Sequence, residues 1–277
     1  MSANTPPDVE YSLAVIGGGK MGEALIGGLL MAGWCTRAEL LVVEPLATRR
    51  AELELRFPGV TVVEEQPSPI RAKGALIAVK PHHVNEVCRR LAPTVDRVLS
   101  IAAGVTTGSM EAALREGAPD RTVAVVRSMP NTPALVSCGA SAIAGGAAAS
   151  ADDLDWAAGI LSAVGIVERV DERLLDTVTG VSGSGPAYLF LVAEAMIEGG
   201  VLMGLPRTVA TTLVAQTIAG AGLMLRDSGD DAARLRGNVT SPGGTTAAGL
   251  RVLEQRGARS AFIDAVAAAT ERSRELG

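Results

Sequence analysis

The chain has little of what polar catalysis usually draws on. Histidine occurs only as the adjacent pair His82 and His83, and neighbours on a strand or loop point different ways, which makes a poor metal pair or triad base. Cys35, Cys88 and Cys138 are far apart and outside any CxxC spacing. That argues against a disulfide framework and a zinc cluster and points to a reducing cytosol. No metal site is expected. No run of basic residues stands against the formal net charge of -5, so nucleic acid and anionic membrane have no electrostatic footprint here. The opening MSANTPPDVEYS lacks the apolar stretch of a signal peptide, and residues 1–11 read as a disordered leader.

What is present is apolar and rich in glycine. With 277 residues and 48% apolar content, length favours two domains. Ser12 to Gly17 form a β-branched run that stops at glycines, and Ala24 to Ala32 then read as a helix. Leu40 to Val43 predict a second strand, the charged segment through Arg56 a second helix, and Val60 to Val63 a third strand. Further strands fit Ala75 to Val79, Val98 to Ala102, Val123 to Met129 and Ser141 to Ala144, with Val84 to Leu91 and Thr107 to Glu116 between them. This βαβ alternation implies a mostly parallel sheet of about seven strands in the first 168 residues.

Past Val170 the strand signal ends, and long Ala- and Leu-rich stretches alternate with breakers at Ser182 to Pro186, Gly204 to Pro206, Ser228 to Asp230 and Ser241 to Gly244. The expected fold is therefore α/β: a Rossmann-type domain over residues 12–169, then an all-helical domain over 170–277. No residue from Thr208 to Leu225 is charged, a length at the lower limit for a membrane span. Its four threonines, glutamine and glycines favour a buried helix instead. An apolar bundle with small contact residues implies a second subunit.

Gly17, Gly19 and Gly22 satisfy GxGxxG, but 32 glycines in 277 positions would supply roughly 0.4 such matches by chance. Context decides. The match follows the first strand, opens a helix, and is followed at the end of the second strand by Glu44. Glu44 can accept hydrogen bonds from the adenosine ribose of NAD, while Arg49 and Arg50 can instead meet the 2′-phosphate of NADP. A solvated helix start would have the same residues. The fourth strand ends in AVKP (Ala78, Val79, Lys80, Pro81), which opens backbone groups at the carboxyl edge of the sheet where ligands bind. Ala102 to Gly104 are small enough there for close approach of a flat ring.

In the helical half, TGVSGSGPAY (Thr179 to Tyr188) mixes hydroxyls with glycines, a break expected to expose amides. NVTSPGGTTAAGL (Asn238 to Leu250) sets Ser241, Gly243, Gly244, Thr245 and Thr246 directly before an apolar helix. Free amides, hydroxyls and a favourable dipole suit a carboxylate there. An N-cap with a Pro-Gly turn is the simpler reading of the same residues.

With VIGGGKMG, AVKP, SMPNTP (Ser128 to Pro133) and these two motifs in order, the chain from about Ser12 onward resembles the pyrroline-5-carboxylate reductases. The resemblance implies reduction of a cyclic imine to proline, with NADPH or NADH at Ile16, Gly17, Gly18, Gly19, Lys20, Met21 and Gly22, at Ala78 to Pro81, and close to Ala103 and Asn238. It implies that Gly244, Thr245 and Thr246 hold the ring carboxylate, with Ser241, Thr179 and Glu172 beside it. Glu172 and Thr179, seven apart, would share a face of one helix. Many members end the second strand in serine, threonine or asparagine, whereas this chain has Glu44, so the choice between the cofactors stays open. The competing readings are a related imine or hydroxyacid reductase, which would want a lysine or aspartate donor in a half that contains no lysine, and a catalytically silent nucleotide sensor, which need not keep SPGGTT.

Overall fold

The structure, a computed structural model, describes residues 10–66 and 70–276. Most of the expected leader lies outside the described residues. Tyr11 does not behave as leader: it bridges to Ala72 and is buried within an apolar cluster that also holds Ile70 and Ala72.

The chain runs β1 (Leu13–Ile16), α1 (Lys20–Met31), β2 (Leu40–Val43), α2 (Ala47–Arg56), β3 (Thr61–Val63), β4 (Ala75–Ile77), α3 (Val84–Leu91), β5 (Arg97–Ser100), α4 (Thr107–Gly117), β6 (Ala124–Met129), β7 (Gly139–Gly145), α5 (Ala151–Ser162) and β8 (Gly165–Arg169). It continues as α6 (Leu175–Val178), α7 (Gly185–Leu202), α8 (Arg207–Asp227), α9 (Ala232–Asn238), α10 (Thr245–Gln255) and α11 (Ala258–Leu276). The contacts group these into two compact units, Met1–Gly183 with Ala269–Gly277, and Ser184–Ala268. This division falls later than the expected 169/170 boundary. Leu175 is buried beside Ala142 and Ala144 of the sheet, which keeps the segment after residue 170 with the first unit.

In the first unit, eight strands lie in the order β3-β2-β1-β4-β5-β6-β7-β8. Neighbours pair in parallel except β6 with β7. A parallel return needs a crossover of a dozen or more residues. Between β6 and β7 there is only a 3-10 turn at Thr132–Val136, closed by left-handed Ser137, so the chain folds back antiparallel. Helix α5 then supplies a full crossover, and β8 lies parallel to β7. The sequence reading stops at seven strands, and β8 is the one it lacks: GIVER is an edge strand with Ile166, Glu168 and Arg169 exposed, so it carries no buried apolar run to announce it.

Alternation along β1 builds both faces of the sheet. Leu13 and Val15 enter the cluster that holds Leu25, Ile26, Leu29 and Ile160, while Ala14 and Ile16 enter the one with Val84, Cys88, Leu91 and Met110. These two apolar layers fix the sheet and leave its carboxyl edge to the loops.

The second unit is helical, as expected from the absent strand signal. Helix α7 ends at a left-handed Gly204 (φ +99°), with Leu205 N–H donating to Gly200 and Gly204 N–H to Val201. This is a glycine C-cap, and Pro206 follows before α8 begins. Glu198 and Arg207 pair across the turn. Helix α8 is not the buried core helix its sequence suggests: only Ala210 and Val214 are buried, and α7 buries no residue. The stretches Glu172–Leu202 and Arg207–Asp227 are by length and composition alone apolar enough to cross a membrane.

Candidate active site

The glycine loop sits where β1 hands over to α1, at the point where the strand order reverses between β1 and β4. Gly17 has φ +105°, and a Cβ there would lie 2.6 Å from the Ala78 carbonyl. Both the backbone angle and the approach of the AVKP strand therefore require glycine. A Cβ on Gly22 would lie 2.3 Å from the Gly17 carbonyl, so the helix can start this close to its strand only without one. Gly19 differs. Its φ is -62° and a Cβ would meet nothing within 4 Å, so among the described residues no packing contact demands glycine and the space beside it is open to a ligand.

Gly19 is also the N-cap of α1, and no side chain caps it. The helix thus begins at Lys20, earlier than its expected start at Ala24, and the amides of Lys20, Met21 and Gly22 precede the first i−4 bond, made by Glu23 N–H to the Gly19 carbonyl. Uncapped amides and the positive helix end form an anion cradle. The residues present fit a dinucleotide pyrophosphate. Ile16, Gly17 and Gly18 are buried, whereas Gly19 and Lys20 are exposed. Ala78 and Val79 are half-buried at the same edge, and Lys80 and Pro81 are exposed at the start of a 3-10 turn. Ala103 is exposed after β5, followed by left-handed Gly104.

Glu44 is buried at the end of β2. Its carboxylate accepts from Gly18 N–H and from Leu46 N–H, each at 2.9 Å, so the acid at the strand end also holds the glycine loop. Arg49 donates through Nε to the Gly18 carbonyl at 2.7 Å and pairs with Glu52 and Glu23. Glu23 is buried between Arg49 and Arg56. This knot of charges was not legible beforehand, since it joins three separate segments.

Glu172 does not form the expected helical face with Thr179. Residues Glu172–Leu174 are a 3-10 turn, α6 is one short turn, and Thr179–Gly183 are π-helical, so a spacing of seven has no α-helical meaning across them. The Glu172 carboxylate accepts from Thr107 N–H at 2.7 Å and Thr107 Oγ1 at 2.5 Å, and Arg127 donates to it at 3.2 Å. Burial works to raise its pKa, but the Thr107 hydroxyl and amide and the Arg127 guanidinium together hold it below the ordinary carboxylate value. Glu172 is thereby committed to the start of α4 and to β6. Thr179 Oγ1 donates to the Leu175 carbonyl at 2.9 Å.

The expected break at TGVSG is a π turn, a distortion often found at functional sites. Asn131, within the SMPNTP motif but given no part by sequence reading, holds it: its Nδ2 donates to the Ser182 carbonyl at 3.1 Å and its Oδ1 accepts from Ala140 N–H at 2.8 Å. An asparagine between two prolines in a turn after a strand is the one signal that could have flagged it.

In the second unit, α9 ends at Asn238 and the chain turns through Ser241, Pro242 and left-handed Gly243 (φ +70°) into α10. Gly244 is the N-cap, and no side chain caps it. Its own N–H turns back to the Ser241 carbonyl at 3.0 Å, and a Cβ on it would lie 2.3 Å from Ser241 Oγ. The SPGG sequence thus makes a tight turn that leaves the first amides of α10 beside the hydroxyls of Thr245 and Thr246. Ala248 N–H is the first to reach back to the Gly244 carbonyl.

No group of three or more metal-ligating side chains occurs among the described residues. Cys35 and Cys88 are buried thiols, pushed by burial up to about 11 and about 12, too high to serve as nucleophiles.

A parallel sheet that begins β3-β2-β1-β4-β5-β6, with a glycine cradle at its switch point, defines an NAD(P)H-dependent oxidoreductase of the Rossmann type. Two family profiles agree: "NADP oxidoreductase coenzyme F420-dependent" matches residues 12–104 and "Pyrroline-5-carboxylate reductase dimerisation" matches residues 172–276. The chain is 43% identical to the pyrroline-5-carboxylate reductase of Synechocystis sp. over 97% of its own length and 99% of the relative's. It is 39% identical to that of Pisum sativum over 96% of this chain and 96% of the other. Among solved structures, a pyrroline-5-carboxylate reductase from Coxiella burnetii superposes with a TM-score of 0.89 at 33% identity, covering 97% and 99% of the two chains. The Plasmodium falciparum pyrroline carboxylate reductase, with NADP bound, gives 0.81 at 30% identity over 96% and 98%. The chain belongs to the pyrroline-5-carboxylate reductase family.

Proposed function

We propose that this chain reduces 1-pyrroline-5-carboxylate to L-proline in the cytoplasm, as a homodimer or higher homo-oligomer assembled through its helical half. The observation that carries the reading is the pairing, in one chain of this family, of two uncapped helix N-termini, that of α1 behind Gly19 and that of α10 behind Gly244. The first suits a pyrophosphate and the second a small carboxylate.

NADPH or NADH, when bound, supplies the hydride. The chain's own task is placement. Lys20, Met21 and Gly22 offer amides to the dinucleotide, with Ala78 to Pro81 and Ala103 completing its site. Behind the Gly244 turn, Thr245 and Thr246 grip the substrate carboxylate through amides and hydroxyls, with Ser241 beside them. A ring held by its carboxylate presents one carbon to the reductant, and a protonated ring nitrogen makes that carbon strongly electrophilic. Orientation then accounts for most of the rate, which is consistent with a site of Gly, Ser and Thr. Residues 12–169 form the dinucleotide-binding domain in this reading and 170–277 the substrate-binding and dimerisation domain.

Exposed Leu189, Phe190 and Leu191 on α7 and Leu213 and Leu223 on α8 support burial against a second copy rather than lipid, since Glu194, Glu198 and four α8 threonines share those helices. Free buried thiols support a reducing compartment. The purified chain mixed with pyrroline-5-carboxylate and NADPH or NADH should consume the nicotinamide absorbance and yield proline. Turnover only of a hydroxy acid with the oxidised cofactor would replace this reading with that of a hydroxyacid reductase.

A further inference from the structure

Resting on that reading of the glycine loop, we infer that this chain selects NADH over NADPH, with Glu44 as the specificity-determining residue. The two cofactors differ by one phosphate on the adenosine ribose, the group that the end of β2 meets in a fold of this order. To accept it, a protein needs a cation or several donors free at that strand end. Here the strand ends in a buried acid, and both cations beside it are already committed.

Each donor group of Arg49 is engaged: Nε on the Gly18 carbonyl, one terminal nitrogen on Glu52 and the other on Glu23. Arg50 gives one terminal nitrogen to the carbonyls of Glu44 and Pro45, at 3.0 and 2.7 Å, and the other to Glu64 at 2.9 Å. Both side chains are largely buried, at 15% and 18% exposure. The local charges close on themselves, with Glu23, Glu44, Glu52 and Glu64 against Lys20, Arg49, Arg50 and Arg56. A dianionic phosphate would have to pull an arginine out of these pairs while facing the Glu44 carboxylate. A ribose diol asks for neither. Glu44 already accepts from Gly18 and Leu46, and each of its oxygens keeps a second lone pair for a hydroxyl donor. The same carboxylate therefore shapes the pyrophosphate loop and judges the ribose, so it cannot be exchanged for a neutral residue without loosening Gly18.

Direct titration of the purified full chain with NADH and with NADPH, following nicotinamide fluorescence at one fixed salt concentration, tests this without turnover. The expected result is a dissociation constant for NADPH at least tenfold above that for NADH. Glu44→Gln, which keeps the size and removes the charge, should shrink that ratio at least fivefold. Arg50→Ala should leave it unchanged, because Arg50 is spoken for. NADPH binding as tightly as NADH to the wild-type chain overturns the inference and leaves the family reading intact; so does a selective loss of NADPH binding in Arg50→Ala. Binding of neither cofactor overturns both. The wild-type ratio decides even if Glu44→Gln fails to fold.

Discussion

The two compact units solve the burial of apolar side chains in opposite ways. In the first, Leu13, Val15, Leu25, Ile26, Leu76 and Leu99 are fully sealed between the sheet and its helices. In the second, α7 carries only Glu194 and Glu198 as charges yet buries no residue within the chain, and Phe190 and Leu191 are both about two-thirds exposed, at 67% and 66%. That much contiguous apolar surface calls for a covering partner. The first unit is thus a finished core, and the second leaves apolar surface to be covered. The difference teaches where each kind of substitution will be felt.

The glycine loop gives the largest effects and separates packing from ligand binding. Gly17→Val, with its positive φ and a contact at 2.6 Å to backbone, should prevent the first unit from folding, seen as loss of the cooperative melt in circular dichroism. Gly19→Val should melt like the wild type and yet lose NAD(P)H affinity about 100-fold, because only the ligand needs that space. Equal behaviour of the two variants would break the distinction. Next in size, Phe190→Glu combined with Leu191→Glu should yield a monomer by light scattering while cofactor affinity stays within about twofold, since the first unit closes its own core. An unchanged oligomer would mean that α7 is covered in some other way.

Thr246→Ala should raise KM for the imine about tenfold, the loss expected for one hydrogen bond to a charged group, with cofactor affinity unaffected. The smallest effect concerns the link at Glu172. Its folded-state pKa is depressed by Thr107 and Arg127, so its contribution to stability is present above the unfolded carboxylate pKa and is lost as pH falls through the lower folded value. Glu172→Gln should melt a few degrees below wild type at pH 7, about 1 kcal/mol at most for a partly exposed group. The gap should close as the pH drops below about 4. A gap that persists in acid would point to packing rather than charge.

Much of the first unit was readable because β-branched runs bounded by glycine leave few alternatives to buried parallel strands. Sequence places the start of α1 at Ala24 because Gly19 and Gly22 lower apparent helix propensity, whereas Gly22 is there for the close approach of helix and strand. The edge strand β8 was missed because its charged residues face solvent. Arg127 stood as a lone charge inside the run AVVRSM, which announces a buried partner, but Glu172 lies 45 positions away and no local pattern names it. The π turn at Thr179–Gly183 was likewise invisible, since Gly and Ser read as a break when Asn131 in fact holds the turn helical. The SPGGTT turn is legible as a helix cap, which the structure has. Its glycine N-cap, with no side chain occupying the amides, is what the anion reading needs.

The most direct test is a crystal structure of the oligomer grown with oxidised cofactor and proline. The expected density places the proline carboxylate on the amides of Thr245 and Thr246 with the ring against the nicotinamide. Proline bound away from α10, with those amides facing water, would contradict it.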